Sequence, residues 1–446
     1  MKVTSRVHGR RNELKINIES MVRCGGSCEG CILTSDERVH GSIWPRSMFE
    51  RAYPFVRGFI QSHLDSGTHF HEISVTFGQG DHFLLTSEDA DFVVRWLSKL
   101  AKGRVVGFIS ASAIGRRDRV FRSVDSWYEA MQRHGQALNV DMVFDPCKMH
   151  LDRFVETYAA NIAHVRQAFG DVDLNINVGP DTPEATTPER LRDFVIENGF
   201  SRLTLNLVPL PGKGRIFADG WQKIIEWFER TLLVWRPEDG YSINFCPAIA
   251  PLIEGADSQL SERGLLGVAD FVGERLEREI YIDGNGAVSH SQAGFGDVPL
   301  SRRFGFEPRL TVDVPEESAL QQVRDSARAF ASRIVGRFVA HEACGECRFR
   351  GVCPKIGAIA VASSMRRHLP EDGCPAGIKP LLHAIEGFMR EGLDLATECY
   401  RDPRVHVPHG FDINLLRNAR PARTFSGSLR IDSLRSSNHG VHGHHG

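Results

Sequence analysis

The sequence has no apolar run close to the ~20 residues that a helix needs to cross a bilayer, which argues against a membrane protein. Residues 1–15 lack the apolar core of a signal peptide, so we do not expect export. The 56 acidic and 54 basic side chains give a net charge of −2, which leaves no positive surplus for a nucleic-acid backbone. We therefore predict a cytoplasmic protein that binds neither membranes nor nucleic acid.

What the chain does have is ten cysteines. Cytoplasmic thiols stay reduced, so structural disulfides are not their expected role. Seven of the ten fall into two clusters, and three stand alone. The N-terminal cluster consists of Cys24, Cys28 and Cys31, the C-terminal cluster of Cys344, Cys347, Cys353 and Cys374, and the isolated cysteines are Cys147, Cys246 and Cys399.

The N-terminal triplet, C-x3-C-x2-C, has a spacing that suits an iron–sulfur cluster better than zinc. Structural zinc normally takes four protein ligands, and this is not one of its usual spacings. An iron–sulfur cube tolerates three thiolates and then keeps its fourth iron open. Gly25, Gly26 and Gly30 keep the loop thin, so its backbone can wrap closely around such a cube.

Strand-like and helix-like segments alternate over residues 13–235, a pattern typical of a parallel α/β protein. The candidate strands are Glu13–Ser20, Ile73–Gly78, Val105–Ser110, Leu138–Phe144, Leu174–Val178 and Leu203–Val208. The candidate helices include Ser87–Ala101, Leu151–Phe169 and Pro188–Asn198.

Most of these strands alternate apolar and polar residues; in one of them, Asn175 and Asn177 lie between aliphatic neighbours. Successive side chains of a strand point to opposite faces, so one face meets the helices and the other is polar. A closed eight-stranded barrel fills its interior with branched aliphatics instead. We therefore predict an open six-stranded parallel (β/α)6 partial TIM barrel with a polar lumen, rather than a half-solvated antiparallel sheet.

The cysteine triplet after the first strand resembles the signature of the radical S-adenosylmethionine (radical SAM) enzymes, whose fold is such a partial barrel. The resemblance implies that Cys24, Cys28 and Cys31 hold a [4Fe–4S] cluster whose open iron chelates S-adenosylmethionine (SAM). One electron then splits a C–S bond and leaves a 5′-deoxyadenosyl radical, which takes a hydrogen atom from the substrate. An electron donor such as flavodoxin or ferredoxin is implied as a partner. Gly30 departs from the family, which often has an aromatic residue there.

The resemblance also implies SAM contacts at the ends of the next strands. The glycine-rich turn after the second strand would bind the methionine amino group, although Asp81 stands where glutamate is usual and Gln79 interrupts the glycines. For Arg153, a contact with the methionine carboxylate and an ordinary surface position are both open, since the serine expected two residues before Asp145 is Val143. The implied SAM-binding residues are Gly78, Gln79, Gly80, Asp81, Ser110, Asp145 and Arg153.

The C-terminal cluster, C-x2-C-x5-C followed by a distant cysteine, resembles the SPASM extension of radical SAM maturases, which modify peptides and proteins. Full members of that group carry seven cysteines and two auxiliary clusters. Here the expected hairpin, Ile280–Asp297, contains no cysteine, and Gly357 stands at another ligand position. All thiolates of one auxiliary cluster are therefore missing together. We infer one complete auxiliary [4Fe–4S] cluster, with a structural zinc site as the alternative, held by Cys344, Cys347, Cys353 and Cys374.

These observations predict a radical SAM partial barrel over 1–235, a bridging region over 236–277, a SPASM-like domain over 278–400 and a flexible tail over 401–446. Cys147 and Cys246 are weak candidates for a hydrogen donor to a substrate radical, because most isolated cysteines are inert small hydrophobes. Cys399 is expected to be structural.

We predict hydrogen abstraction from a peptide or protein substrate. With Cys24 so early in the chain, recognition is expected to use the C-terminal region or a separate leader-binding protein. A radical SAM dehydrogenase or epimerase acting on a small molecule is the alternative. A non-catalytic metal-binding module or electron carrier is the hypothesis from a different class.

Overall fold

The computed structural model describes residues 13–26, 28, 33, 35–70, 72–100, 104–178, 181–207, 221–235, 239–244, 277–290 and 310–339. Its strands are β1 (Glu13–Met21), β2 (Glu72–Gln79), β3 (Val105–Ala111), β4 (Leu138–Phe144), β5 (Asp173–Val178), β6 (Arg202–Leu207), β7 (Ser242–Asn244), β8 (Glu279–Ile282), β9 (Ala287–Ser289) and β10 (Leu310–Thr311). Its α-helices are α1 (Ser35–His40), α2 (Arg46–Asp65), α3 (Ser87–Ser98), α4 (Arg117–His134), α5 (Asp152–Phe169), α6 (Thr182–Ala185), α7 (Pro188–Glu197), α8 (Trp221–Val234) and α9 (Ala319–Val339).

All ten strands form one sheet in the order β10-β9-β8-β1-β2-β3-β4-β5-β6-β7. From β1 to β6 each strand pairs in parallel with the next, and neighbouring helices pack on one another, α3 on α4 and α4 on α5. Crossovers between parallel strands are nearly always right-handed, so this sequential order keeps the helices on one face. The prediction of six parallel strands flanked by helices is confirmed. Among the described strands β7 and β10 do not pair, so the sheet is open.

The sheet is wider than predicted, because a further parallel strand lies at each edge of the six. Strand β7 pairs with β6, and β8 pairs with β1. Strand β9 then folds back on β8, with Tyr281 opposite Ser289, which forms the first part of the predicted hairpin. The rest of that hairpin, 291–297, lies outside the described residues. The segment that starts at β8 thus shares the sheet of the barrel strands.

The two faces of the sheet differ as the alternation predicts. In β1, Leu14, Ile16 and Ile18 are fully buried against the helices, whereas Lys15 and Asn17 are half-buried on the opposite face. In β5, the asparagines Asn175 and Asn177 are likewise half-buried, and their aliphatic neighbours are fully buried. Asn17 lies beside Thr76, and Asn175 beside Thr204, in the strand register. The polar side chains therefore form neighbouring rows on one face.

Local signals set the helix ends. Helix α3 begins after Thr86, whose hydroxyl accepts a hydrogen bond from the Asp89 amide at 3.2 Å, and α7 begins after Thr187, which caps the Arg190 amide in the same way. Helix α4 ends at His134 and is followed by Gly135, which adopts a left-handed conformation. None of the helices in the described ranges combines the length and apolarity needed to cross a membrane.

The C-terminal part of the described chain packs on α2. Arg57 forms an ion pair with Glu316 at 2.5 Å, and Arg51 forms one with Asp313. A Cβ on Gly58 would stand 2.3 Å from the Glu316 carbonyl oxygen, so only glycine allows this close approach. Helix α9 therefore lies against the outer helical layer.

Candidate functional site

The cysteine loop starts at the carboxyl end of β1. The Cys24 amide donates to the Arg38 carbonyl at 2.9 Å, and the Val22 amide donates to the Ser42 carbonyl at 2.9 Å. Met21 also forms a bridge with Ile43. Both ends of the loop are thus held to the end of β1, which fixes where the cysteines lie relative to the sheet.

Two of the three predicted cluster ligands, Cys24 and Cys28, lie close together in this loop. Cys24 is half-buried and Cys28 is buried. A Cβ placed on Gly26 would stand 3.4 Å from the Cys24 sulfur and 3.6 Å from the Cys28 sulfur, so the two sulfurs flank one small space. The Gly26 amide donates to the Cys24 sulfur at 3.3 Å.

This donor set fits an iron–sulfur cluster, because two thiol groups converge on a space that glycine leaves open. The third predicted ligand, Cys31, lies outside the described residues. Within the described ranges no group of three potential metal ligands is brought together. The third contact at Cys31 therefore remains a prediction.

The turn after β2 lies against the segment that leads to the cysteines. The Gly80 amide donates to the Met21 carbonyl at 2.6 Å, and the Asp81 amide donates to the Arg23 carbonyl at 3.0 Å. A Cβ on Gly80 would stand 2.1 Å from the Arg23 carbonyl oxygen. Gly80 is thus required for packing on the cysteine loop, a reason that the sequence analysis did not identify.

Gly78 has a different environment from Gly80. A Cβ on Gly78 would have no atom within 4 Å, and this residue is half-buried beside Glu19 in the register. A glycine here leaves free space on the polar face of the sheet. The side chain of Gln79 lies outside the described part of the chain.

Asp81 is buried at the same end of the sheet and connects two loops. It accepts hydrogen bonds from the Phe83 amide at 3.1 Å and from the Ser112 hydroxyl. Burial raises the pKa of the Asp81 carboxyl, and the hydrogen bond from Ser112 opposes that change. Asp81 thus joins the end of β2 to the segment after β3.

His82, which the sequence analysis did not single out, joins three strand ends. Its Nδ1 lies 3.0 Å from the Ser110 carbonyl oxygen, and its Nε2 lies 3.2 Å from the Ser20 hydroxyl. A carbonyl can only accept, so Nδ1 carries the proton. Burial lowers the pKa of His82 to about 4, which keeps the ring neutral near pH 7. Neither a repeating residue pattern nor a motif in the sequence sets His82 apart from the other histidines.

The residues predicted around the end of β4 have different degrees of exposure. Asp145 is buried; it accepts from the Cys147 amide at 3.1 Å and lies 3.6 Å from the Lys148 amine. Cys147 is half-buried in the turn that follows. Arg153 is exposed in the first turn of α5.

Helix α5 contributes a further residue that the sequence analysis missed. Asn161 is fully buried, and its amide group donates to the Ala113 carbonyl at 2.7 Å and the Gly115 carbonyl at 3.1 Å. Ile114, between those two residues, would be 3.6 Å from a Cβ on Gly26. Asn161 therefore holds the loop that contacts the cysteine segment.

The remaining predicted site residues lie outside the described part of the chain. They stay predictions of the sequence: Cys31, Cys246, Cys344, Cys347, Cys353 and Cys374.

No family model matches the chain, and no curated protein matches it. Among solved structures, native anSMEcpe with bound AdoMet and Cp18Cys peptide has a TM-score of 0.48 and 12% identity, covering 84% of this chain and 99% of that one. Native anSMEcpe with bound AdoMet is similar to this chain with a TM-score of 0.47 and 12% identity, and the match covers 84% of this chain and 100% of that one. The YdjI aldolase from Escherichia coli K12 has a TM-score of 0.30 and 10% identity, with coverage of 74% and 95%. Similarities this low do not establish a function.

Proposed function

We propose that this chain is a radical SAM enzyme that reductively cleaves SAM and abstracts hydrogen from a peptide or protein substrate. The observation that carries the proposal is the position of the cysteine loop. Cys24 and Cys28 lie together at the carboxyl end of β1, in an open parallel sheet whose inner face is polar. Ligand sites of parallel α/β proteins lie at this end of the strands.

In this proposal, Cys24, Cys28 and Cys31 would hold a [4Fe–4S] cluster, and Gly26 keeps a side chain out of the space between the Cys24 and Cys28 sulfurs. When bound, the cluster and SAM supply one-electron cleavage to a 5′-deoxyadenosyl radical. The Cys24 amide is held by the Arg38 carbonyl of α1, and the Val22 amide by the Ser42 carbonyl, so the cysteines stay at the end of the sheet.

The chain's own residues would bind and orient SAM beside the cysteines. Gly78 leaves free space on the polar face, and Asp81 places a buried carboxyl at the same strand end. The Asp81 carboxylate accepts hydrogen bonds from the Phe83 amide and the Ser112 hydroxyl, and a carboxylate has about four lone-pair sites, so it can also accept from an ammonium group. Ser110, Asp145 and Arg153 are the further proposed contacts.

The peptide or protein substrate is supported by the C-terminal cysteines and by the polar face. Cys344, Cys347, Cys353 and Cys374 would hold an auxiliary [4Fe–4S] cluster of the SPASM-like type. Asn175 and Asn177 present amide groups that both donate and accept, as peptide groups require. A flavodoxin or ferredoxin would supply electrons, and a separate leader-binding protein would assist recognition.

The decisive assay measures 5′-deoxyadenosine after anaerobic incubation of the protein with reductant and SAM. The wild-type chain should form it, and replacing Cys24, Cys28 and Cys31 together by alanine should abolish it while the C-terminal iron is retained. Cys399→Ala is the matched control and should keep the activity. Product formation by the triple variant, or none by the wild type, would refute the proposal.

A second assay addresses the substrate class. Incubation of the reduced enzyme and SAM with a peptide encoded beside the gene should change the mass of that peptide. If 5′-deoxyadenosine forms with a small metabolite and encoded peptides stay unmodified, the small-molecule alternative is correct.

A further inference from the structure

Tyr158 is a fully buried residue on α5, and its ring is held by aromatic neighbours. The ring centroid lies 4.7 Å from that of Phe144 and 6.0 Å from that of Phe194. Phe154, on the same helix, is a third neighbour at 6.4 Å. A phenylalanine at position 158 would make the same ring contacts, so packing does not explain the hydroxyl group.

The hydroxyl oxygen of Tyr158 is buried, and nothing in the described part of the chain hydrogen-bonds to it. Leaving a buried hydroxyl without a partner destabilises the folded protein. A Phe side chain would avoid that cost. The hydroxyl is therefore best explained by a partner that is present only when the protein carries its bound group.

The surroundings of Tyr158 indicate which group this is. Burial raises the pKa of its phenol, and the nearby charges of Cys28 and Asp81 raise it further. Asn161, one turn along the same helix face, holds the loop whose Ile114 approaches Gly26. This face of α5 thus borders the loop that contacts Gly26, the residue whose Cβ position lies between the Cys24 and Cys28 sulfurs.

We propose that the Tyr158 hydroxyl donates a hydrogen bond to the Cys28 sulfur, or to a sulfide next to it, when the N-terminal cluster is bound. This inference rests on the proposed function. Hydrogen bonds to the sulfurs of an iron–sulfur cluster are among the factors that set its reduction potential. The reduced cluster carries one more negative charge and gains more from the donor, so Tyr158 raises the potential and makes the cluster easier to reduce. Tyr158 is a positioning residue in this role and does not contact the substrate.

The test compares reduction potentials of the anaerobically reconstituted full-length protein. The N-terminal cluster is identified as the electron paramagnetic resonance (EPR) signal that is missing when Cys24, Cys28 and Cys31 are replaced by alanine. Its midpoint potential should shift to a more negative value in Tyr158→Phe, with unchanged iron content. Tyr53→Phe is the matched control, because the Tyr53 hydroxyl donates to the Lys99 carbonyl on the outer helices. The cluster of this variant should have the same midpoint potential as that of the wild type.

An unchanged or more positive potential in Tyr158→Phe would overturn the inference while leaving the proposed function intact. A wild-type protein without the N-terminal signal would overturn both. A second measurement compares electron–nuclear double resonance of the reduced cluster in the wild type and in Tyr158→Phe. The Gly26 amide supplies an exchangeable proton to both, and the wild type should show a further coupled proton that D2O exchange removes and that Tyr158→Phe lacks. The same exchangeable protons in both proteins would also overturn the inference.

Discussion

At the residue scale, two glycines at the end of β2 differ in whether they leave room for a side chain. Gly80 leaves no room for a side chain, because its Cβ would meet the Arg23 carbonyl, whereas Gly78 faces free space. His82 is neutral because burial lowers its pKa, and its ring is held by Ser20 and by the Ser110 carbonyl. These residues hold the segment that leads into the cysteine loop. Substituting them should therefore change both the free energy of unfolding and the amount of iron bound by the cysteines.

Gly80→Ala should destabilise the protein by about 1–3 kcal/mol, the usual cost of forcing an extra carbon into a packed site. It should also lower the iron bound at the N-terminal site, since the Arg23 backbone must move. Gly78→Ala is the control and should leave the free energy of unfolding nearly unchanged. Denaturant unfolding and iron analysis measure both effects; equal results for the two variants would contradict the account.

His82 should make stability depend on pH in a defined direction. An unfolded histidine has a pKa near 6.5 and the folded His82 one of about 4, so between these values only the unfolded chain binds the proton. Its contribution is complete above pH 6.5 and falls by about 3 kcal/mol as pH approaches 4. His63, whose pKa burial also lowers to about 4, adds a similar dependence.

The check is the free energy of unfolding between pH 4.5 and 7.5. His82→Gln should make the decrease smaller than that of the wild type by about 2–3 kcal/mol. A variant that keeps the full wild-type decrease would show that His82 titrates normally in the folded protein.

At the element scale, helix α5 supports the loop after β3 through one side chain. Asn161→Leu would leave the buried Ala113 carbonyl and the partly buried Gly115 carbonyl without their donor, at a cost of about 2–4 kcal/mol. Amide hydrogen exchange of the segment around Ile114 should become faster. Thr157→Val, which loses only an exposed bond to the Arg153 carbonyl, should change neither quantity by much. Unaltered exchange in Asn161→Leu would mean that the loop is held by other contacts.

Strands whose alternation of apolar and polar residues extends over many positions could be predicted from the sequence, and shorter strands could not. Strand β4 has the predicted bounds, Leu138–Phe144, because seven alternating residues identify both the strand and its buried face. Strands β7 and β8 have three and four residues, too few to establish a period, so the sequence, which predicted a hairpin at β8, did not place either strand in the sheet. Helix α3 ends at Ser98 rather than at Ala101, since helix ends carry weaker signals than helix interiors.

At the scale of the whole molecule, the sequence could indicate the chemistry of the site but not the contacts that build it. The spacing of Cys24 and Cys28 predicted that they act together, and they converge at the end of β1. The buried contacts of His82 and Asn161 connect residues 28 or more positions apart in the sequence. Such contacts depend on tertiary packing, which leaves no local pattern in the sequence.

The activity proposed for the whole molecule depends on one claim: the thiolates of Cys24, Cys28 and Cys31 hold an iron–sulfur cluster that leaves one iron open to SAM. EPR spectroscopy of the reduced, anaerobically reconstituted protein, with and without SAM, tests it most directly. We predict a [4Fe–4S] signal that changes when SAM is added and that is absent when Cys24, Cys28 and Cys31 are replaced by alanine. A reduced wild-type protein with no signal attributable to these cysteines, or one whose signal ignores SAM, would contradict the account.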